Sequence, residues 1–186
     1  MKKIKFLVLA ILCSVFLLSS VSTPIYAENS ENDNSFTISL SDTETNEKIF
    51  EDGSSITIED ITESGNARAG LTITGKKISA QSSCGRLKLS FYIDTKAYMA
   101  NDDPENPIYY TKINNYYGRA ITVVAGTYRL VRFEPYNLIE TANNPAQVAL
   151  AAHINANLEN FILQDEPVFL YATIRNGYLT VSKEGF

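Results

Sequence analysis

Between Phe36 and Val181 apolar and polar residues mostly alternate, which is the period of a strand with one face buried and not that of a helix. The plainest run is Arg86 to Asp94, in which Leu87, Leu89, Phe91 and Ile93 alternate with Lys88, Ser90, Tyr92 and Asp94. Shorter runs with the same grammar predict strands at 36–40, 55–61, 71–74, 108–113, 120–124, 127–133, 168–174 and 178–181. Polar turns separate them: Asp42 to Glu47, Glu51 to Ser54, Thr62 to Gly70, and the Cys84-Gly85 bend. Ala125-Gly126 predicts a tight turn that pairs 120–124 with 127–133 as a hairpin. Asn176-Gly177 predicts another, because a type I′ turn needs positive φ at both central residues. Thr95 to Pro107, with two prolines among acids and amides, is expected to be the longest exposed loop.

Pro145 to Leu158 admits two readings. As a helix it offers Asn144 as N-cap, Pro145 in the first turn, and Leu150, Ile154, Leu158 and Phe161 at helical spacing. As a strand it offers Val148, Leu150, Ala152, Ile154, Ala156 and Leu158 in unbroken alternation. Three asparagines between 155 and 160 weaken the helix and four alanines weaken the strand, with the strand favoured. The expected fold is therefore all-β, an antiparallel β-sandwich of immunoglobulin-like or similar type, with one helix at 145–160 as the open alternative.

The first residues follow a different rule. A basic Met1 to Lys5, an apolar Phe6 to Leu18 and a small, polar Ser19 to Ala27 predict a secretory signal peptide over 1–27, since the apolar run is shorter than the ~20 residues of a membrane span. Residues 28–35, without an apolar side chain, are expected to be a disordered leader, and 36–186 a single β-domain. No transmembrane segment is expected in the mature chain. Losing Lys2, Lys3 and Lys5 leaves 13 basic against 21 acidic residues, a net charge of −8. Such a balance argues against nucleic acid as a partner and favours solubility outside the cell. One cysteine remains, Cys84, so core burial and not an internal disulfide must hold the domain; Cys84 reads as a small packed apolar residue.

Cys84, the strand end Phe91-Tyr92-Ile93 and the closing hairpin Ala172 to Val181 (ATIRNGYLTV) together resemble a family of small secreted domains of unknown function from Firmicutes. The resemblance implies a β-fold and secretion, and it tilts Gln147 to Leu158 toward strand; the lack of an internal disulfide and the short Lys-rich signal fit a Gram-positive source. It carries no activity.

Candidate chemistry is sparse. The one histidine, His153, is expected on the polar edge of its segment, and no Ser-His-Asp or Cys-His signature, zinc cluster or glycine-rich phosphate loop is present. No catalytic residue is assigned, and the chain is expected not to be an enzyme. Calcium is the ion that the oxygen ligands would suit, at Asp102, Asp103 and Glu105 or at Asp42-x-Glu44-x-Asn46, although no complete calcium loop is spelled out. Four tyrosines, Tyr109, Tyr110, Tyr116 and Tyr117, are expected to form a stacking platform beside the acidic loop. The expected function is non-enzymatic binding of an extracellular protein or glycan through residues 95–119, with a bacteriocin- or toxin-like effector as the alternative.

Overall fold

In the computed structural model, which describes residues 34–62, 73–101, 103, 105–158 and 161–186, there are ten strands and no helix. They are β1 (Ser35–Ser39), β2 (Asn46–Ile49), β3 (Ser55–Asp60), β4 (Ile73–Gln81), β5 (Leu87–Met99), β6 (Tyr109–Val123), β7 (Gly126–Asn137), β8 (Ala146–Leu158), β9 (Phe161–Arg175) and β10 (Tyr178–Glu184). Two antiparallel sheets result, β2-β3-β4-β5-β6 and β1-β10-β9-β8-β7. The architecture is a β-sandwich. Strands β2 to β6 and β7 to β10 each follow one another as an up-and-down meander, and β1 departs from that order by pairing with β10 at the edge of the second sheet. The signal peptide expected from the sequence and most of the leader fall in 1–33, outside the described residues; Ser35, assigned to the leader by sequence, opens β1.

The alternating residues meet between the sheets as expected. Leu87, Leu89, Phe91 and Ile93 of β5, Ile56 and Ile58 of β3 and Ile78 of β4 face Val148, Leu150, Ala152 and Ile154 of β8, with Leu170, Ala172, Ile174, Leu179 and Val181 beside them, all fully buried. The ambiguous segment is β8, a strand across the middle of its sheet. Its alanines serve there: Ala149 and Ala151 lie on the opposite face, in register with Glu134 and Tyr171 and with Arg132 and Phe169, and are buried as well. At Asn176-Gly177 both residues take positive φ, 52° and 78°, and the expected hairpin joins β9 to β10.

Three expectations are corrected. Ala125-Gly126 does turn the chain, but β6 and β7 belong to different sheets and are not a hairpin. A Cβ on Gly126 would stand 2.4 Å from the Asn155 carbonyl, so the glycine lets β7 lie directly on β8. Residues 95–119 are mostly strand, which shortens the loop to about Ala100–Ile108 between β5 and β6. Finally the strand expected at 168–174 begins at Phe161, so β9 runs through Pro167; Asp165 takes a positive φ of 54° and the register with β8 slips between Ile154 and Ala156, an irregularity that accommodates the proline.

Bulges also change which way side chains point. The β7–β8 register shifts between Leu130 and Arg132, which makes Val131 the extra residue and puts Phe133, with Tyr128 and Leu130, on the core side. Phe133 then packs edge-on to Phe91 at 5.6 Å and to Tyr116 at 5.3 Å. On the exposed edge of β7, Pro135, Arg129, Arg132 and Glu134 discourage pairing with another chain.

Charged groups close the open ends of the sandwich. Lys76 is fully buried, its Nζ 2.7 Å from Asp60 Oδ2 and hydrogen-bonded to the Asp42 carbonyl. Lys183, 2 % exposed, lies 4.5 Å from the Phe50 ring centroid and 3.7 Å from Asp52, and burial pushes its ammonium below the usual lysine range against the pull of Asp52. Glu140 is buried where the β9–β10 turn meets β6. Cys84 packs half-buried against the core in the β4–β5 turn, its Sγ 3.6 Å from Ser82 Oγ.

Candidate functional site

On the outer face of the β2–β6 sheet, the register assembles a cleft. Ile61, Gly75, Asp94 and Asn115 form one cross-strand row, and Glu59, Lys77, Tyr92 and Tyr117 form the next. Ile73, Lys96 and Lys112 form the row on the other side. Ile61, Thr62, Ile73, Gly75, Tyr92, Asp94 and Tyr117 enclose a volume of about 480 Å³.

Tyr92 and Tyr117 stack across the strands, ring centroids 5.4 Å apart and planes 12° apart. Local backbone makes this possible. Gly118 has φ +61° and a Cβ there would be 2.5 Å from a Tyr92 ring carbon, so the bulge opposite Phe91 tucks bare backbone under the ring. Gly118→Ala is expected to cost about 2 kcal/mol in urea unfolding, through the left-handed backbone and the displaced ring. Near-UV circular dichroism of the tyrosines should change with it; a variant that matched the parent in both would show that the stack does not depend on Gly118.

Asp94 stands beside the stack, its Oδ1 accepting from the Tyr117 hydroxyl at 3.2 Å and its Oδ2 from the Asn115 amide at 3.3 Å. Two donors fix the carboxylate and leave lone pairs open toward the cleft. The floor is Gly75, whose absent Cβ would lie 3.1 Å from Ile61 and 3.5 Å from Asp94 Oδ1. Thr62 Oγ1 accepts from the Gly75 amide at 3.0 Å and holds that wall in place. Lys77 is tied to Glu59 at 2.8 and 2.9 Å, and these bonds hold its ammonium above the usual lysine range despite partial burial. The arrangement offers an aromatic wall, an oriented acceptor and an uncluttered floor.

The four sequence-predicted tyrosines are not one platform. They lie on strand β6, where adjacent residues face opposite sides, so Tyr116 turns inward to Phe133 while Tyr117 turns outward to Tyr92. Tyr110 meets Tyr98 at 6.2 Å further along the outer face, and Tyr109 is exposed at the strand's start, in register with Met99. Sequence reasoning missed Tyr92, Asp94 and Gly75 as site residues. An aromatic and an acid two positions apart on the polar side of the clearest strand was the available signal.

Of the expected calcium ligands, Asp102 lies outside the described residues. Asp103 caps its own loop, accepting from the amides of Glu105 at 3.0 Å and Asn106 at 3.3 Å. Asp42 accepts from the Ser39 amide at 3.2 Å. Among the described residues no three His, Cys, Asp or Glu side chains cluster at metal-binding distance. His153 is held by Asp165 on the outer face of the other sheet, its Nδ1 2.8 Å from the Asp165 carbonyl and 3.0 Å from Oδ1, whereas Cys84 packs toward the interior. Comparison of the chain with protein-family models, with curated proteins and with solved structures gave no match.

Proposed function

We propose that this chain is a secreted, non-enzymatic binding module that takes a glycan in the Tyr92–Tyr117–Asp94 cleft. The observation behind it is the stacked tyrosine pair beside an oriented carboxylate over a glycine floor. A sugar ring presents C–H bonds to the negative face of an aromatic ring and hydroxyls to an acceptor, and both needs are met within one cleft. The basic and apolar segment at 1–27 and the net charge of −8 that follows its removal support an extracellular setting. Among the described residues no helix is long and apolar enough to cross a membrane.

Screening the chain lacking residues 1–27 on a glycan array, followed by calorimetry on the hits, tests this reading. Tyr117→Ala is expected to weaken binding at least about tenfold, in line with the loss of an aromatic contact and an orienting hydroxyl. Gly75→Ala should weaken it similarly with little loss of stability, because Gly75 lies outside the left-handed region and the added methyl, 3.1 Å from Ile61, needs that side chain to give by only a few tenths of an ångström. Undiminished binding by both variants would move the site elsewhere.

A further inference from the structure

We infer that the glycan bound in this cleft is anionic, with its acid group held by Lys96 and Lys112; the inference rests on the cleft being a glycan site. Lys96 and Lys112 are direct cross-strand partners on the outer face of β5 and β6, in the row next to Asp94 and Asn115. Like charges placed directly opposite in an antiparallel pair destabilise the sheet. Lys76, Lys77 and Lys183 each have a carboxylate within 4 Å. No ion pair or side-chain hydrogen bond of Lys96 or Lys112 is formed among the described residues, in a chain where acids outnumber bases 21 to 16. Two facing, half-buried lysines without a counter-charge suit a ligand that brings one.

The neighbours specify the ligand further. Along the β5–β6 ladder the outward pairs run Tyr92/Tyr117, Asp94/Asn115, Lys96/Lys112 and Tyr98/Tyr110, successive rungs about 6.7 Å apart. A polysaccharide laid along the strands would stack on the tyrosine pair at either end. Asp94 repels an acid group and accepts hydroxyls, whereas the lysine rung does the opposite. The order fits a chain in which neutral and acidic sugars alternate, and it disfavours one with an acid on every ring.

Calorimetry with the chain lacking residues 1–27 tests this with three probes: a hyaluronan tetrasaccharide, the same tetrasaccharide with its carboxyls reduced, and a sulfated chitotetraose. The uronate or the sulfate probe is expected to bind about fivefold or more tighter than the reduced form, with the preference shrinking as salt is added. Preference for only one of the two acids identifies the acid group. Lys96→Gln/Lys112→Gln should abolish the preference, so that acidic and reduced probes bind the variant equally. Lys112→Glu should abolish it too, yet raise the melting temperature, because the facing charges become opposite. Equal affinity for acidic and reduced probes, or a preference that survives the double glutamine variant, overturns the anionic assignment alone. If Tyr117→Ala leaves every affinity unchanged, the cleft itself is the wrong site.

Discussion

Asp60→Asn is expected to lower the unfolding free energy by about 3–5 kcal/mol. Lys76 is fully buried and its Nζ has two partners, Asp60 Oδ2 and the Asp42 carbonyl. Asparagine keeps the shape of the side chain and the acceptor for the Thr62 amide, which lies 2.7 Å from Oδ1, but removes the charge that offsets the buried ammonium. Lys76→Met should cost much less, since the Asp60 carboxylate retains the Thr62 amide and some solvent contact. Burial alone would push the Asp60 carboxyl up, but the Lys76 and Thr62 bonds outweigh it and hold it below the usual range. A depressed carboxyl contributes stability that is present above the unfolded value, about 3.9, and lost as the pH falls through the lower folded value. Acid unfolding of the parent should therefore show a proton-linked loss below about pH 4 that the asparagine variant lacks. Urea titrations at pH 7 and pH 3 measure both effects. Equal stability of parent and Asp60→Asn at pH 7 would mean that the buried lysine is neutral or differently partnered.

How far such features can be read from sequence depends on whether they are local. The β5 strand was legible because Leu87, Leu89, Phe91 and Ile93 all turn out to face the core. The Asn176-Gly177 turn was legible because its backbone needs those two residues. Pro145 to Leu158 remained ambiguous because alanine is common to both readings; what decides for strand is tertiary, a core face of Val148, Leu150, Ala152 and Ile154 and an outer face narrow enough to need Ala149 and Ala151. Bulges have no such marker. The extra residues near Val131 and Asn114 reverse the facing of everything after them, so that simple alternation along 127–133 does not place Phe133 on the same side as Leu130, where the structure has it. The cleft is non-local throughout: Gly75 meets Asp94, and Lys96 meets Lys112, only through register. Lys76 illustrates the limit well, since beside Lys77 it reads as solvent-facing until Asp60 is placed opposite it.

The second large effect belongs to Glu140, which no sequence pattern singled out. Its Oε2 accepts from the Thr111 amide at 2.9 Å and its Oε1 from the Asn176 amide at 2.5 Å, so one side chain ties β6 of one sheet to the β9–β10 turn of the other. The backbone of the same residue donates to the Thr111 carbonyl at 2.9 Å and accepts from the Tyr98 hydroxyl at 2.8 Å, fixing the side chain's starting point. Glu140→Ala removes the acceptor from two amides at a site where Glu140 is 2 % and Thr111 9 % exposed. With each stranded donor worth about 1–3 kcal/mol and the exposed Asn176 at the low end of that range, a loss of about 2–5 kcal/mol is expected. Glu140→Gln should recover less than half of it, because its amide oxygen can serve one donor while its NH₂ group confronts the other. A merely space-filling role would instead make glutamine nearly neutral. Hydrogen exchange locates the damage: amide protection should collapse at both Thr111 and Asn176 in the alanine variant and at one of the two in the glutamine variant, while Phe91 and Leu150, in the middle of the core, change only with global stability. If protection at those two amides survived the alanine variant, the two sheets would be joined at this end by some contact other than the Glu140 carboxylate.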